Sequence, residues 1–410
     1  MLKPAIRLLV GSITALALCE PARVGAQGLP SEPFVIADGR VVVSGDVSLT
    51  ASCSHASGAA LCTEDTGFFN YSDYNDSTIR MARMGLSTAV RLSRRLSVLG
   101  DVRSENARAP RPYSLYLRFK PFDGRNIDIQ AGRIPSTFGA FPRRAYSTDN
   151  PLIGFPLAYQ YLTSLRADSL PGNTEDLIRM RGRGWLSSFP IGNQAPAAGL
   201  PLADAFRLDT GVEVHGATER LDVAGSVTMG SLSNPRVGDD NRGKQVAGRV
   251  AVKPLPGLTA GVSASRAPYV ASSAALAAQA SANQFVQRGL GADVEYSRDH
   301  YVMRLETVLS TYALPTIEPR LRAVATTIEG RYKVTPRLHV AARLEHLGFS
   351  DVVGTTRTAT WDAPVTQWET GVGYALQRNT QVRVSFQHHS RDGGRVRQMT
   401  ALAGQLLYWF

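Results

Sequence analysis

The sequence has little of what marks a helical membrane protein, a disordered chain or a fibre. Beyond its N-terminus it contains no apolar run of the roughly 18 residues that a helix needs to cross a bilayer, and its mean hydropathy is -0.11. Only 19% of its 410 residues are charged, while 43% are hydrophobic, which argues against a disordered tail, a coiled coil or a collagen-like fibre. We therefore expect a folded chain that is not a polytopic helical membrane protein.

Lysine is scarce: it occurs at five positions, and arginine supplies the other 40 of the 45 basic residues. Against 34 acidic residues this gives a formal net charge of +11. An excess of basic residues raises the question of nucleic-acid binding, but the arginines are spread along the whole chain among acids, and no nucleic-acid-binding motif is present. We predict no nucleic-acid partner.

The N-terminus has the pattern of an export signal. Lys3 and Arg7 precede a short apolar stretch at residues 8–18, and the small residues at 24–26 supply a cleavage site. We predict a signal peptide over residues 1–26, followed by a short periplasmic segment at 27–40.

Cysteine occurs at only three positions. Cys19 lies within the predicted signal peptide and allows a lipoprotein as an alternative, but bulky Leu18 stands where a lipidation signal has a small residue. Cys53 and Cys62 would remain in an oxidising compartment without metal-ligand companions nearby. We predict a disulfide bond between them, worth about 2–3 kcal/mol for so short a loop; two free thiols are the alternative.

From residue 41 onward, apolar residues alternate with polar or small ones in runs of about 10 to 14, a pattern typical of β-strands. In residues 80–92, Met84 and Leu86 share one face, while Arg83 and Arg91 share the other. We predict sixteen strands, at 41–52, 78–92, 95–106, 113–121, 125–133, 206–216, 219–230, 244–254, 257–266, 286–297, 300–313, 320–333, 336–349, 366–377, 380–391 and 397–410.

The predicted connections alternate in length between tight turns and longer loops, and most strands carry ionisable residues on one face only. A sixteen-stranded barrel is wide enough to hold water, and charges are costly in hydrocarbon. We therefore predict an all-β fold: a transmembrane antiparallel β-barrel over residues 41–410, with its charged face toward a wet lumen. We interpret the 43% apolar content as a lipid-facing half rather than a buried core. Aromatic residues near strand ends, such as Tyr113, Tyr301 and Tyr332, are expected in interfacial girdles.

The sequence ends in Leu-Leu-Tyr-Trp-Phe, with Leu406, Tyr408 and Phe410 on one face of the last predicted strand. This ending resembles the terminal strand of Gram-negative outer-membrane proteins, in which a C-terminal aromatic and alternating apolar residues form the assembly signal. The resemblance implies a cell outer membrane location, with the barrel-assembly machinery and outer-membrane lipid as partners.

Residues 134–205 form by far the longest predicted connection, and strand parity places it on the external side. Loops of this length are uncommon in compact domains unless they are functional. The mature chain resembles porins, whose third external loop folds into the lumen and narrows it. Residues 132–139, Gly-Arg-Ile-Pro-Ser-Thr-Phe-Gly, are similar to the strand-to-loop entry of phosphate-selective-type porins, although the lysine ladder of phosphate channels is missing. The resemblance implies passive diffusion of small hydrophilic solutes or ions, and porins of this size are often homotrimers.

The long connection carries candidate constriction residues of both signs. Arg179, Arg181 and Arg183 alternate with Met or Gly, so an extended chain would project three guanidinium groups to one side. If that side faces the lumen, anions are favoured; arginines that pair with carboxylates and pin the loop are the alternative. A slight positive excess on the predicted lining also indicates a weak anion lean. The constriction candidates are Arg143, Arg144, Arg166, Arg179, Arg181, Arg183, Asp149 and Asp168.

Catalytic signals are weak. His388, His389 and Ser390 are adjacent, with Glu345 or Glu369 as orienting candidates, but neighbours on a strand point to opposite faces and a nucleophile needs a positioned base. We predict no enzyme, no cofactor and no metal site. Two alternatives to a porin stay open: a structural barrel that sheathes an electron-transfer or secretion partner, and, with less support, an outer-membrane hydrolase.

Overall fold

The computed structural model describes residues 30–56, 62, 82–145 and 148–410. The predicted signal peptide, residues 1–26, lies outside the described residues. None of the described helices is long and apolar enough to cross a membrane.

Sixteen antiparallel strands form a closed barrel, which confirms the predicted fold class and strand number. The strands are β1 (Val41–Ala56), β2 (Ala82–Arg91), β3 (Leu96–Glu105), β4 (Arg111–Phe119), β5 (Asn126–Ile134), β6 (Asp209–Ala217), β7 (Leu221–Thr228), β8 (Gln245–Leu255), β9 (Leu258–Pro268), β10 (Val286–Arg298), β11 (Tyr301–Leu314), β12 (Ile317–Lys333), β13 (Leu338–Phe349), β14 (Val365–Gln377), β15 (Thr380–Arg391) and β16 (Gln398–Trp409). Each strand pairs with its neighbours in sequence, and β1 pairs with both β2 and β16, which closes the sheet.

Short elements lie between or beside the barrel strands. A strand at Phe34–Ile36 adds to the start of β1. The helices are α1 (Leu157–Gln160), α2 (Thr174–Met180) and α3 (Ser272–Ala277), with 3-10 turns at Phe141–Arg144 and Ala282–Gln284. Two small two-stranded sheets pair Ser169–Leu170 with Ile191–Gly192 and Asp351–Val353 with Thr358–Thr360.

The alternation of short and long connections is less regular than predicted. β12 begins at Ile317 rather than at residue 320, so only two residues separate it from β11 at the long-loop end. Pro319 is tolerated in this strand because the residues before Ala323 pair with β11 but not with β13, and proline is confined to such unpaired edges.

The two faces of the barrel differ as the alternation predicts. On β2, Met84 is 56% exposed on the outer face, whereas Arg83 is 4% exposed on the inner face. Along the other strands the outer face is apolar and exposed, as at Val212, Val214 and Leu290, and the inner face is polar and buried. The interior therefore holds the charges, and the apolar wall faces outward.

The apolar residues do not all face outward, which corrects our interpretation that they form a lipid-facing half without a buried core. A hydrophobic core lies inside the barrel, where the long connection packs on the inner faces of β11 to β14. Its ring contacts include Phe141 on Phe155 at 5.1 Å and Phe349 on Trp361 at 4.7 Å. Part of the inner wall that the loop covers is apolar, including Tyr312, Leu321 and Leu347.

Tyr113 is not part of an outer girdle, so its predicted position is wrong. The register between β3 and β4 shifts after Asp101 and Ser114, leaving Tyr113 as an extra residue. Such a β-bulge reverses the alternation locally. Tyr113 stacks under Arg103, with the guanidinium carbon 3.5 Å from the ring centroid, and donates a hydrogen bond to the carbonyl of Ala205. Tyr301 and Tyr332 are exposed on the outer face, as predicted.

A disulfide and the C-terminal aromatic residue make further contacts with β1. The predicted disulfide joins Cys53, near the long-loop end of β1, to Cys62, with Cα atoms 4.6 Å apart. At the opposite end, Phe410 exchanges backbone hydrogen bonds with Gly45 and stacks edge-on against Phe34 at 5.3 Å. Leu406 and Tyr408 lie on β16, opposite Leu49 and Val47 of β1.

Candidate channel interior

The connection from residue 135 to residue 208, called here the inner loop, is held against the polar inner wall. Its backbone amides donate hydrogen bonds to three wall glutamates on β11, β13 and β14. These bonds join Ala140 to Glu306 at 2.8 Å, Leu157 to Glu345 at 3.0 Å and Gly154 to Glu369 at 3.0 Å. Because carboxylates bind backbone donors strongly, a row of wall carboxylates fixes the course of the inner loop.

The entry to the inner loop explains the short motif at residues 132–139. Thr137 donates to Glu213 on β6, and the amide of Gly139 donates to the Ser263 hydroxyl on β9 at 3.1 Å. Gly139 has φ +79°, and a Cβ there would collide with the Tyr159 hydroxyl. The motif thus turns the chain off β5 and across the inside of the wall.

A charge cluster lies where the first part of the inner loop crosses β11, β12 and β13. Glu329 is fully buried. Its carboxylate forms ion pairs with Arg144 of the loop at 2.9 Å, with Arg304 at 2.9 Å and with Arg343 at 2.8 Å. Arg343 also reaches Glu369 at 3.3 Å and donates to the carbonyl of Gly154. One loop arginine therefore joins a network that belongs mainly to the wall.

The second part of the inner loop is stabilised by a buried arginine. The Arg166 side chain is completely buried; it donates two hydrogen bonds to Asp168, at 2.9 and 2.8 Å, and others to the carbonyls of Ser187 and Ala195. Burial raises the pKa of Asp168, but the hydrogen bonds from Arg166 and Asn193 outweigh it, so the net pKa lies below the usual range. Arg166 therefore links three separate parts of the inner loop through its hydrogen bonds.

Asp362, in the connection before β14, anchors the same region from outside the loop. It is fully buried and accepts hydrogen bonds from the amides of Ser164 and Gly182, at 2.6 and 2.7 Å. Burial raises the pKa of this carboxyl. Two distant points of the inner loop are thereby held at one carboxylate.

Most of the predicted constriction residues are paired in ways that pin the loop. Besides Arg144 and the Arg166–Asp168 pair, the structure joins Arg143 to Asp222 at 3.3 Å, Arg179 to Asp176 at 2.9 Å and Arg181 to Asp392 at 3.2 Å. Burial raises the pKa of Asp149, while the positive charge of Arg383 acts to lower it. These candidates are therefore distributed over the loop and do not form one ring.

Arg179, Arg181 and Arg183 do come together, although not through the extended chain that we expected. Arg179 lies in α2, because Asn173 caps this helix and accepts a hydrogen bond from the Asp176 amide. The three arginines line one cavity of about 810 Å³ at the long-loop end, together with Trp185. No ion pair joins Arg183 to an acid within the described ranges.

Sequence reasoning missed the other half of this cavity. Arg357, Arg395 and Arg397 complete its lining, against a single acid, Asp392. They come from the two connections before β14 and before β16. No local pattern marks them, since only the closed barrel brings three separate connections to one place.

Two further cavities are also basic. One, of about 360 Å³, is lined by one acid, Glu105, and by the arginines Arg103, Arg108, Arg111, Arg133 and Arg207. The other, of about 140 Å³, lies beside the short turn between β12 and β13 and contains no acid; its basic side chains are Arg331, Lys333, Arg337, His339 and Arg383. Cationic lining is thus present at both ends of the barrel.

The adjacent residues His388, His389 and Ser390 do not form a catalytic pair. His388 contacts the ring of Trp368 on the outer face, with centroids 5.8 Å apart. His389 is buried on the inner face and contacts Gln387 at 3.1 Å. The opposite orientation of neighbours on a strand, expected from the sequence, separates them.

Comparisons with known proteins give matches by structure but not by sequence. No protein-family model and no curated protein matches the chain. Similar solved structures include OmpT, an outer membrane protein of Vibrio cholerae, with a TM-score of 0.56 and 10% identity, covering 92% of this chain and 99% of that one. The anion-selective porin from Comamonas acidovorans gives a TM-score of 0.56 and 10% identity, with 90% and 99% covered. The outer membrane channel DcaP of Acinetobacter baumannii gives a TM-score of 0.53 and 10% identity, with 92% and 100% covered. The chain has the fold of bacterial outer-membrane porins.

Proposed function

We propose that this chain is an outer-membrane porin through which small hydrophilic solutes diffuse passively, with a weak preference for anions. The observation that carries the preference is the lining of the three cavities described above. Arginine and lysine outnumber acids at both the long-loop end and the short-turn end. A pore lined by cations lowers the electrostatic barrier for an anion along its path. One of the similar structures is titled an anion-selective porin.

The interior favours a porin over a sheath. The inner loop already occupies part of the lumen, and its side chains Phe138, Phe141, Phe155 and Tyr159 are buried against the wall. A protein partner threaded through the barrel would have to displace this packed segment. We also propose no catalytic role, since the histidine pair that a hydrolase would need is divided between the two faces.

Planar-bilayer recording tests the channel. Purified, heat-modifiable barrel should give stepwise conductance that does not depend on a second protein. A silent bilayer with correctly folded protein would support the sheath instead.

Reversal potentials in a salt gradient test the anion preference. The sharpest variant is R183S/R357S/R397S, because no ion pair holds these three arginines among the described residues. The anion-to-cation permeability ratio should fall by about two-fold or more in this variant, through loss of positive field at the cavity. The matched control, R94S/R95S/R125S, removes the same charge from short turns and should leave the ratio unchanged. Equal ratios in wild type and in the cavity variant would remove this cavity from the solute path.

The remaining proposals concern export and assembly. We infer that residues 1–26 are removed, that residues 27–40 lie in the periplasm, and that Leu406, Tyr408 and Phe410 form the signal for the barrel-assembly machinery. A homotrimer in outer-membrane lipid is proposed by analogy with the trimer form of OmpT. N-terminal sequencing of the mature protein and crosslinking in membranes test these points. Deletion of Phe410 should reduce insertion while leaving synthesis unchanged.

A further inference from the structure

Three arginines lie on the outer face of the barrel wall, near its external end. Arg266 of β9, Arg288 of β10 and Arg322 of β12 are exposed on the same face as the apolar residues Val262 and Leu290. We call these three residues the outer arginine row.

The strand register brings the row together. Arg266 lies directly opposite Arg288, which lies opposite Thr311 of β11, and Thr311 lies opposite Arg322. Since adjacent strands are about 4.8 Å apart, the three guanidinium groups fall within the width of four strands. No feature of the sequence pattern indicated this grouping.

The row lies at the upper edge of the apolar wall. Along β10, Tyr296 near the short-turn end is eight residues from Arg288, and along β12, Tyr332 is ten residues from Arg322. With a rise of about 3.3 Å per residue and a strand tilt of about 40°, these separations correspond to about 20–25 Å along the barrel axis. Because the apolar band of such barrels is about 25 Å tall, the arginines stand where hydrocarbon gives way to lipid headgroups.

The positive charges of the row have no acidic ion-pair partner in the described part of the protein. No carboxylate forms an ion pair with Arg266, Arg288 or Arg322 there, and Glu318 and Arg320 lie farther along β12 toward the hairpin tip. Like charges directly opposite each other on neighbouring strands are destabilising. An anion between Arg266 and Arg288 would convert that repulsion into two charge-assisted hydrogen bonds, and arginine matches phosphate geometry especially well.

We propose that the outer arginine row binds the phosphate of a lipid headgroup in the outer leaflet. This inference rests on the proposed outer-membrane placement of the barrel, but it concerns a different surface from the channel. A lipid fits better than free phosphate because the same strands continue below the row as an apolar wall, against which acyl chains can lie. The arginine row and the apolar wall are thus adjacent parts of one surface, so the row can contact the headgroup phosphate and the wall the acyl chains of the same lipid.

The test measures binding of lipid A, a glycolipid that carries two phosphates, to the purified barrel in a neutral detergent. Native mass spectrometry should show lipid A adducts on the wild type, and dephosphorylated lipid A should bind at least ten-fold more weakly. R266Q/R288Q/R322Q should bind lipid A at least ten-fold more weakly than the wild type, because two or more charge-assisted contacts are lost. The matched control R94Q/R95Q/R125Q, which loses the same charge from the short turns, should bind as the wild type does.

A second variant keeps the proposal testable if the triple variant fails to fold. R288E places a carboxylate opposite Arg266, so it should keep a folded, heat-modifiable barrel and still lose lipid A. Wild-type affinity in either folded variant would overturn the proposal, as would displacement of lipid A by millimolar inorganic phosphate. Single-channel conductance, recorded on the same samples, should be unchanged. A wild type that shows no channel conductance would contradict the porin proposal and leave the lipid site unaffected.

Discussion

The hydroxyl of Tyr159 donates a hydrogen bond of 2.6 Å to the carboxylate of Glu306 inside the barrel. Tyr159 belongs to α1 of the inner loop, and Glu306 belongs to β11 of the wall. Burial first, and then the charge of Glu306, raises the pKa of Tyr159 well above its usual value, so the tyrosine keeps the proton that it donates. The same carboxylate accepts the Ala140 amide at 2.8 Å, and one wall residue therefore holds two parts of the loop.

Tyr159→Phe should destabilise the protein by about 1–3 kcal/mol, because a buried carboxylate loses a hydrogen-bond donor and nothing replaces it. Equilibrium unfolding in urea, with the protein in detergent, measures this change. Tyr301→Phe is the matched control: its ring is exposed on the outer face, and we expect a change of less than about 0.5 kcal/mol. Equal effects of the two substitutions would show that the Tyr159 hydroxyl does not hold the loop.

The charge cluster predicts an asymmetry between its members. Glu329→Gln leaves Arg144, Arg304 and Arg343 near one another without their shared carboxylate, and should cost about 3–5 kcal/mol, as breaking a buried ion pair does. Arg144→Gln leaves Glu329 with two arginine partners and should cost clearly less. The ratio of the two unfolding free-energy changes is the measurement. An equal or larger loss for Arg144→Gln would mean that the loop arginine, rather than the wall carboxylate, is the centre of the cluster.

The strands could be predicted from the sequence because their signal is local. A period of two places Met84 outside and Arg83 inside without knowledge of any partner, and the same rule separates His388 from His389. The rule fails at Tyr113, where an extra residue in β4 changes the register with β3. That bulge depends on how two strands pair, and neither strand's own pattern reveals it.

The candidate site was harder to predict because it depends on contacts between distant segments. The sequence indicated the inner loop and its arginines, but Arg183, Arg357 and Arg397 share a cavity only after three connections meet at one end of the barrel. The internal apolar core was also missed, since Phe141 and Trp361 look like any aromatic residue of a loop until both are covered. Length and composition of a loop carry no information on which wall residues it will meet.

The disulfide should contribute to stability through the loop that it closes. Reduction of the Cys53–Cys62 bond, which spans nine positions, should lower the free energy of unfolding by about 2–3 kcal/mol by increasing the conformational entropy of the unfolded chain. Urea unfolding with and without dithiothreitol measures the difference. C53S/C62S is the control and should match the reduced wild type while no longer responding to the reductant. A response to dithiothreitol in that variant would have to come from elsewhere in the chain.

Asp168 gives a pH dependence with a definite sign. Its pKa in the folded protein is lowered, because hydrogen bonds from Arg166 and Asn193 outweigh the effect of burial. A lowered pKa means that the ionised carboxylate stabilises the fold at every pH above its unfolded value of about 3.9, and that this stability is lost as the pH falls through the folded value. Asp168→Asn should therefore be less stable than the wild type from pH 5 to pH 8 by a constant amount.

Below about pH 4 the difference between the wild type and Asp168→Asn should shrink, because protonation removes the same charge from the wild type. Urea unfolding at intervals of half a pH unit measures both regimes, and Asp299→Asn, on an exposed turn, controls for general effects of losing a carboxylate. Part of the Asp168 side chain is exposed, so solvent screening limits the size of the effect. If the stability difference stays constant into strong acid, the asparagine destabilises the protein for a steric reason. The charge on Asp168 would then not be what holds Arg166 in place.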